Sequence, residues 1–248
     1  MTQEQHLIEI KDLHKSFGDK KVLSGVNLNI IKGESTVIVG ASGCGKSVLI
    51  KNVAMIMFPD IGEIKIHGIN ITKASKQEKN KILDKMGYLF QGGALFDSLT
   101  IWENIAFRLL KAKVKNSDAK EQAAEMLGEV GLKSDIIDLK PQELSGGMQK
   151  RVSLARTIIS KPEIIFFDEP TTGLDPITSE IIDDLIISLT QKIGATAITV
   201  THDLASIKKT SDKIAMIDNC EIIWQGRYED IHDSNIPKIK KFFNSRNF

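Results

Sequence analysis

Cysteine is nearly absent. Cys44 and Cys220 are the only two in 248 residues, too few for a disulfide framework and suited to a reducing compartment. Long apolar runs are missing as well. The longest, VAMIMF at 53–58, is far short of the roughly 20 residues needed to cross a bilayer. The N-terminus MTQEQHLIEI has neither the basic start nor the apolar core of a secretory leader. Charge of one sign is not in excess either: 33 basic against 32 acidic side chains leave a net charge of +1, which argues against broad nonspecific attachment to nucleic acid. There is no internal repeat, low-complexity tract or obvious linker. What remains is an ordinary globular composition, 42% apolar and 26% charged, expected to be cytosolic and long enough for one large domain or two small ones.

The first third alternates by twos. LIEIKDL, VNLNI and GEIKIHG put apolar residues on one face and polar ones on the other, the pattern of antiparallel strands with one wet side. Between them STVIVG is a continuous apolar strand, followed by a glycine loop and the helical run SVLIKNVAM. In the middle, IWENIAFRLL and DAKEQAAEMLGEV are expected as amphipathic helices, the second capped by Ser117 or Asp118. Buried strands alternating with helices return in the last third: EIIFFD, then PITSEIIDDLIISLTQKIG closed by Gly194, then ATAITV. KIAMIDNCEIIWQG is expected to be a hairpin turning at Asp218-Asn219. The expectation is one α/β unit over 1–248, with 1–91 and 161–248 forming the core and an antiparallel β part, and 92–160 a helical insert.

GASGCGKS at 40–47 fits G-x-x-x-x-G-K-[ST] and stands between a strand and a helix, the context that pattern needs. Its glycines let backbone N–H groups close on phosphates, Lys46 neutralises β and γ oxygens, and the Ser47 hydroxyl can ligate Mg²⁺. EIIFFDEP at 163–170 is an apolar strand delivering two acids at its carboxyl end, where open α/β sheets place ligands. By itself that is often a solvated strand end. Beside a phosphate loop, Asp168 is expected to hold Mg²⁺ through water, and Glu169 to polarise the attacking water. LSGGMQKR at 144–151 is a second glycine-rich helix entry, with unpaired N–H groups and a positive dipole end that suit another anion. Gln91, His202 and Phe17 are each weak signals: a loop glutamine, a single histidine at a strand end, an aromatic as readily core as base platform. Cys44, near a helix start and beside Lys46, is expected to have added thiolate character.

Together GASGCGKS, Gln91, LSGGMQ, IIFFDE with TTGLDP, and His202 stand in one order that closely resembles the nucleotide-binding subunits of ABC transporters, across almost the whole chain. The resemblance implies a P-loop NTPase (RecA-like) α/β core with an antiparallel β subdomain and an inserted helical subdomain. It implies ATP with Mg²⁺, held by Gly40, Ala41, Ser42, Gly43, Cys44, Gly45, Lys46, Ser47 and Val48, with Phe17 stacked on adenine. Ser47, Gln91 and, through water, Asp168 would hold the metal, and Glu169 and His202 would serve hydrolysis. It also answers what the second cradle is for. Two such subunits bind head to tail, so Ser145, Gly146, Gly147 and Gln149 would face the γ-phosphate on the partner, and Asp175 would link the two sites.

A finer resemblance, carried mainly by GALFDSLT, is to the ATPases of Mla-type phospholipid transport. It implies a membrane permease partner, a periplasmic MCE lipid-binding protein and a place on the cytoplasmic face of the inner membrane. Traffic would run between the two membranes of a Gram-negative envelope. Leu95, Phe96 and Leu99 are expected to be an exposed apolar patch for the permease. The alternative is an importer ATPase for small polar solutes such as amino acids. DNA-repair relatives would need long coiled coils in the insert, and translation factors a second cassette; the chain has neither. The tail IPKIKKFFNSRNF, with four basic residues and no acid, is expected to pack on the body or be solvated, with lipid headgroups or a partner as the other option.

Overall fold

The computed structural model describes residues 6–244. The chain opens with β1 (His6–Phe17), β2 (Lys20–Ile31) and β3 (Ser35–Val39), then α1 (Lys46–Val53), β4 (Ile61–Ile66), β5 (Ile69–Asn70) and α2 (Lys76–Leu83). After β6 (Met86–Leu89) come four helices: α3 (Ile101–Ile105), α4 (Phe107–Lys111), α5 (Asn116–Glu129) and α6 (Gly146–Ile158). The rest is β7 (Ile164–Asp168), α7 (Pro176–Ile193), β8 (Thr196–Val200), α8 (Leu204–Thr210), β9 (Lys213–Asp218), β10 (Glu221–Gly226) and α9 (Pro237–Asn244). Residues 1–5 and 245–248, the start of the leader reading and the end of the basic tail, lie outside the described residues.

Two sheets follow from two patterns. The alternating segments form an antiparallel sheet in the order β2-β1-β4-β5. The continuous apolar segments form the parallel heart of a sheet in the order β10-β9-β3-β8-β7-β6, with β10 antiparallel at its edge. β7 shows why its sequence is unbroken. Ile164 and Phe166 pack toward α1 and the antiparallel sheet, while Ile165 and Phe167 pack toward α3, α5, α6 and α7. Both faces are covered, so a polar alternate would be buried unpaired. β6 and β7 are direct neighbours although α3 to α6 lie between them in the chain. The α/β class, the antiparallel sheet and the intervening helices are all as the sequence led us to expect.

Three local expectations fail. IWENIAFRLL is two short helices, because the chain leaves helical geometry at Ala106 (φ −80°, ψ 5°). α5 starts at Asn116 after Lys115, with no side-chain cap, and Ser117 donates to Asp118 instead. The β9–β10 turn is centred one residue later, on Asn219 and Cys220, both at positive φ (46° and 69°). A two-residue hairpin turn matching strand twist needs positive φ at both central positions, and asparagine supplies one readily while cysteine gives no warning of the other.

Candidate functional site

Val39 ends β3 and Lys46 starts α1, so residues 40–45 must turn the chain within one loop. Gly40 has φ 151°, and a Cβ there would sit 2.3 Å from the Ile217 carbonyl oxygen; at Gly45 (φ 107°) it would lie 2.7 Å from that of Val22. Both glycines are demanded by close backbone approach as well as by φ. Lys46 is buried and its ammonium donates to the carbonyl oxygens of Gly40 and Ala41, each at 2.9 Å, so it points into the loop. The Ser47 hydroxyl donates to Asp168 Oδ1 at 2.8 Å, and the Tyr88 hydroxyl donates to Asp168 Oδ2 at 3.1 Å. Burial, and then the Asp168 charge, push the Tyr88 phenol far above its ordinary pKa, so it remains a donor. Ser47 Oγ, the Asp168 carboxylate and the Gln91 side chain are oxygen donors, which is what hard Mg²⁺ takes. Among the described residues no group of three or more His, Cys, Asp or Glu could hold a metal, so such an ion would complete its shell with phosphate and water oxygens.

Glu169 sits just past β7 at φ 49°, a left-handed conformation that costs a glutamate about 1–3 kcal/mol. Its N–H donates to the Val200 carbonyl at 2.9 Å, fixing the turn to the neighbouring strand. Its carboxylate accepts from the Thr172 hydroxyl at 2.7 Å, and its other oxygen lies 3.4 Å from His202 Nδ1. A cavity of about 850 Å³ gathers much of the expected set: Phe17, Gly40, Ala41, Ser42, Gly43, Gly45, Lys46, Ser47, Val48, Gln91, Glu169 and His202. Phe17 is half exposed rather than core. Lys20, Val22 and Phe242 also line it, and sequence reasoning gave none of them.

Cys44, Asp168, the 145–149 segment and Asp175 do not line that cavity. The expectation for Cys44 is overturned: burial raises its thiol pKa, and that outweighs the opposing pull of Lys46, whose ammonium is turned onto loop carbonyls. Ser145 caps α6, its hydroxyl accepting from Met148 N–H at 3.3 Å, and Ser145 and Gly146 are exposed. The Gln149 amide instead donates to the Pro141 and Leu144 carbonyls at 2.9 and 3.1 Å, holding the turn before the helix. Asp175 caps α7, accepting from the Ile177 and Thr178 N–H groups at 3.0 Å and from the Thr178 hydroxyl. These bonds, that from the Thr178 side chain first, hold its carboxyl below the usual range.

On its other side α6 grips the loop that begins at Gln91. Buried Lys150 donates to the Gln91 carbonyl, and Arg156 to those of Gly93 and Ala94 at 2.6 and 2.7 Å. Further along, fully buried Asn104 accepts from Phe96 N–H at 2.7 Å and donates to the Phe96, Leu99 and Thr100 carbonyls. That clamp leaves Phe96 outward. The expected patch is therefore revised: Leu95 packs on the helical core and Leu99 is half-buried, while exposed Phe96 packs tilted against Phe107 at 4.8 Å between centroids and lines a 360 Å³ groove with Phe90.

Comparison with known proteins adds the following. A family profile described as ABC transporter matches residues 23–172. The chloroplast protein TRIGALACTOSYLDIACYLGLYCEROL 3 of Arabidopsis thaliana is 38% identical over 95% of this chain and 73% of its own length. The intermembrane phospholipid transport system ATP-binding protein MlaF of Haemophilus influenzae is 36% identical, over 96% of this chain and 90% of its own. The methionine import ATP-binding protein MetN 4 of Oceanobacillus iheyensis is 34% identical, over 96% and 70%. Among solved structures, a dimeric post-hydrolysis state of the ATP-binding cassette MJ0796 with ADP and Pi superposes with a TM-score of 0.81 at 32% identity, covering 89% of this chain and 98% of that one.

Proposed function

This chain belongs to the ABC transporter family, as an ATP-hydrolysing cassette that uses ATP and Mg²⁺, and from that premise we propose that it works as a head-to-tail homodimer driving phospholipid transport between membranes. The observation that carries the dimer is a separation. The exposed Ser145 and Gly146 at the start of α6 do not line the cavity that gathers the phosphate loop, Gln91, Glu169 and His202. A helix N-terminus facing solvent fits an anion held by a second copy.

In this reading the loop N–H groups and Lys46 hold the phosphates, with Lys46 leaving the Gly40 and Ala41 carbonyls to do so. Ser47, Gln91 and, through water, Asp168 would hold Mg²⁺, which would offset charge on the phosphate oxygens. Tyr88 fixes one Asp168 oxygen and Ser47 the other. Glu169, aimed by its φ and by Thr172, polarises the attacking water, and His202, 3.4 Å from the Glu169 carboxylate, steadies that carboxylate. Phe17 offers its ring to the base, and Asp175, through α7, links the two sites.

The lipid reading rests on GALFDSLT and on two relatives whose names concern lipids, one of them an intermembrane phospholipid transport ATPase. The methionine import relative keeps amino-acid import as the second reading. No helix among the described residues is long and apolar enough to cross a membrane, so the cassette needs a permease to act on one. The groove of Phe90, Phe96 and Phe107 is the proposed dock for that permease, with an MCE lipid-binding protein beyond it. Co-purification with the permease followed by lipid analysis tests the cargo: bound phospholipid and ATP-driven transfer between vesicles support it, whereas amino-acid-stimulated hydrolysis without lipid sinks it. Phe96→Asp should fold and bind ATP, yet lose permease association and lipid transfer. An unfolded variant would show that the Phe96–Phe107 contact is needed for folding rather than docking, and normal transfer would move the dock elsewhere.

A further inference from the structure

The phosphate end of the 850 Å³ cavity is polar and built from one loop, but its aromatic lining comes from opposite ends of the chain: Phe17 at the end of β1 and Phe242 on α9. α9 is fastened to the strands that carry the site. Its fully buried Ile239 and its Phe243 pack in a cluster with Val37 and Val39 of β3, the strand whose next residue is Gly40, and with Met216 of β9. At its other end Lys238 forms an ion pair with Asp218, the last residue of β9. Phe242 follows from that anchoring. It stands edge-on to Phe243, at 5.1 Å between centroids and 76° between planes, is only half-buried, and is one of the residues that line the cavity.

We propose that α9 is part of the nucleotide site and that Phe242 forms a second aromatic wall for the purine base, beside Phe17. The inference rests on the ATP reading and names a determinant of base recognition that the nucleotide motifs do not contain. A half-exposed ring such as Phe17 offers only one stacking face, while a purine has two faces to remove from water. A ring delivered by a helix packed on β3 supplies the additional surface.

The test uses the full chain and two non-hydrolysed ligands, ADP and inorganic pyrophosphate, with binding measured by calorimetry. Phe242→Ala should weaken ADP about three- to thirty-fold, the range expected for losing one aromatic stacking partner, and leave pyrophosphate within about twofold. Unchanged ADP binding by the folded variant overturns the proposal. Equal weakening of both ligands also overturns it, because α9 would then support the phosphate loop rather than the base. Should the alanine variant unfold, Phe242→Trp keeps an aromatic packed in place, and its emission over the Trp102 and Trp224 background should respond to ADP but not to pyrophosphate. An emission that ignores ADP overturns the wall. Wild-type protein binding neither ligand would remove the nucleotide reading itself, and this proposal with it.

Discussion

Glu169 combines a carboxylate at the cavity with a backbone conformation that other residues would hold more cheaply. At φ 49° the cost is tolerated because its N–H is bonded to Val200 and its side chain to Thr172. Glu169→Gln keeps the shape and an acceptor for Thr172 but cannot polarise water as a base. We expect ATP binding to persist, turnover to drop roughly 10²–10⁴-fold, and an ATP-bound dimer to accumulate on gel filtration. Hydrolysis near the wild-type rate would reject the role. Cys44 gives a second expectation at this scale. Its thiol pKa is raised, chiefly by burial, so less thiolate exists at pH 7 than for a free cysteine. In a Cys220→Ser background, maleimide should label it more slowly than glutathione at pH 7 and accelerate as pH climbs past the ordinary thiol range. Mg-ATP should slow it further. Labelling faster than glutathione at pH 7 would contradict the burial. Lys46, Ser47, Asp168 and Glu169 could be found in the sequence because each has a fixed offset from a strand end. Tyr88 and Phe242 could not, since what makes them part of the site is a strand neighbour and a docked helix far away in the chain.

Elements were legible where their period matched their burial. β7 and β8 were found because both faces are covered, and α7 because Asp175, Pro176 and Gly194 mark its ends. The starts of α2 and α3 carried a readable signal that was missed: Ser75–Glu78 and Thr100–Glu103 are both S/T-x-x-E pairs, and both form reciprocal caps. The break at Ala106 had none. Pairing of α7 with α8 was also invisible, and it hides a cost. Asp183 is buried on α7 and accepts from the Ser206 hydroxyl of α8 at 2.6 Å. Burial first, with Asp203 and Asp184 adding and the Ser206 hydrogen bond and Lys209 opposing, pushes its carboxyl up to about 6. Between the ordinary carboxylate pKa and that value the folded chain keeps a proton that the unfolded chain has released. Its contribution to stability is therefore complete at lower pH and is lost as pH rises through about 6. Asp183→Asn should remove that loss, raising stability at pH 7.5 by about 1–2 kcal/mol once solvent screening is allowed for. The gain should vanish toward pH 4. Thermal melts of both proteins across this range check it, and a pH-independent difference would show that Asp183 is not the titrating group.

At the scale of the whole molecule, the two anion-ready helix starts belong to different parts of the fold: α1 follows β3 in the parallel sheet, whereas α6 closes the helical segment between β6 and β7. They are nonetheless connected, because α6 holds the loop at Gln91 through Lys150 and Arg156. In the proposed head-to-tail dimer, a change at Gln91 when a nucleotide binds in one copy would therefore move the α6 start toward or away from the other copy. For the 145–149 segment the sequence suggests an anion, and the family resemblance alone assigns that anion to a partner; the tertiary placement adds that the segment does not line its own chain's cavity. The proposed two-fold dimer makes this testable, since each composite site would take Lys46 from one chain and Ser145 from the other. Lys46→Ala homodimers lose both nucleotide sites, and Ser145→Arg homodimers block both with a bulky cation at the helix start. In the mixed dimer one site collects both lesions, while the other combines an intact Lys46 with an intact Ser145. If the sites act independently, random exchange puts half the chains in mixed dimers with one working site of two, giving roughly a quarter of wild-type hydrolysis. Cross-linking or differently tagged chains would confirm that exchange has occurred. Mixtures that exchange yet stay inactive would show that one chain's phosphate loop does not rely on the other's Ser145.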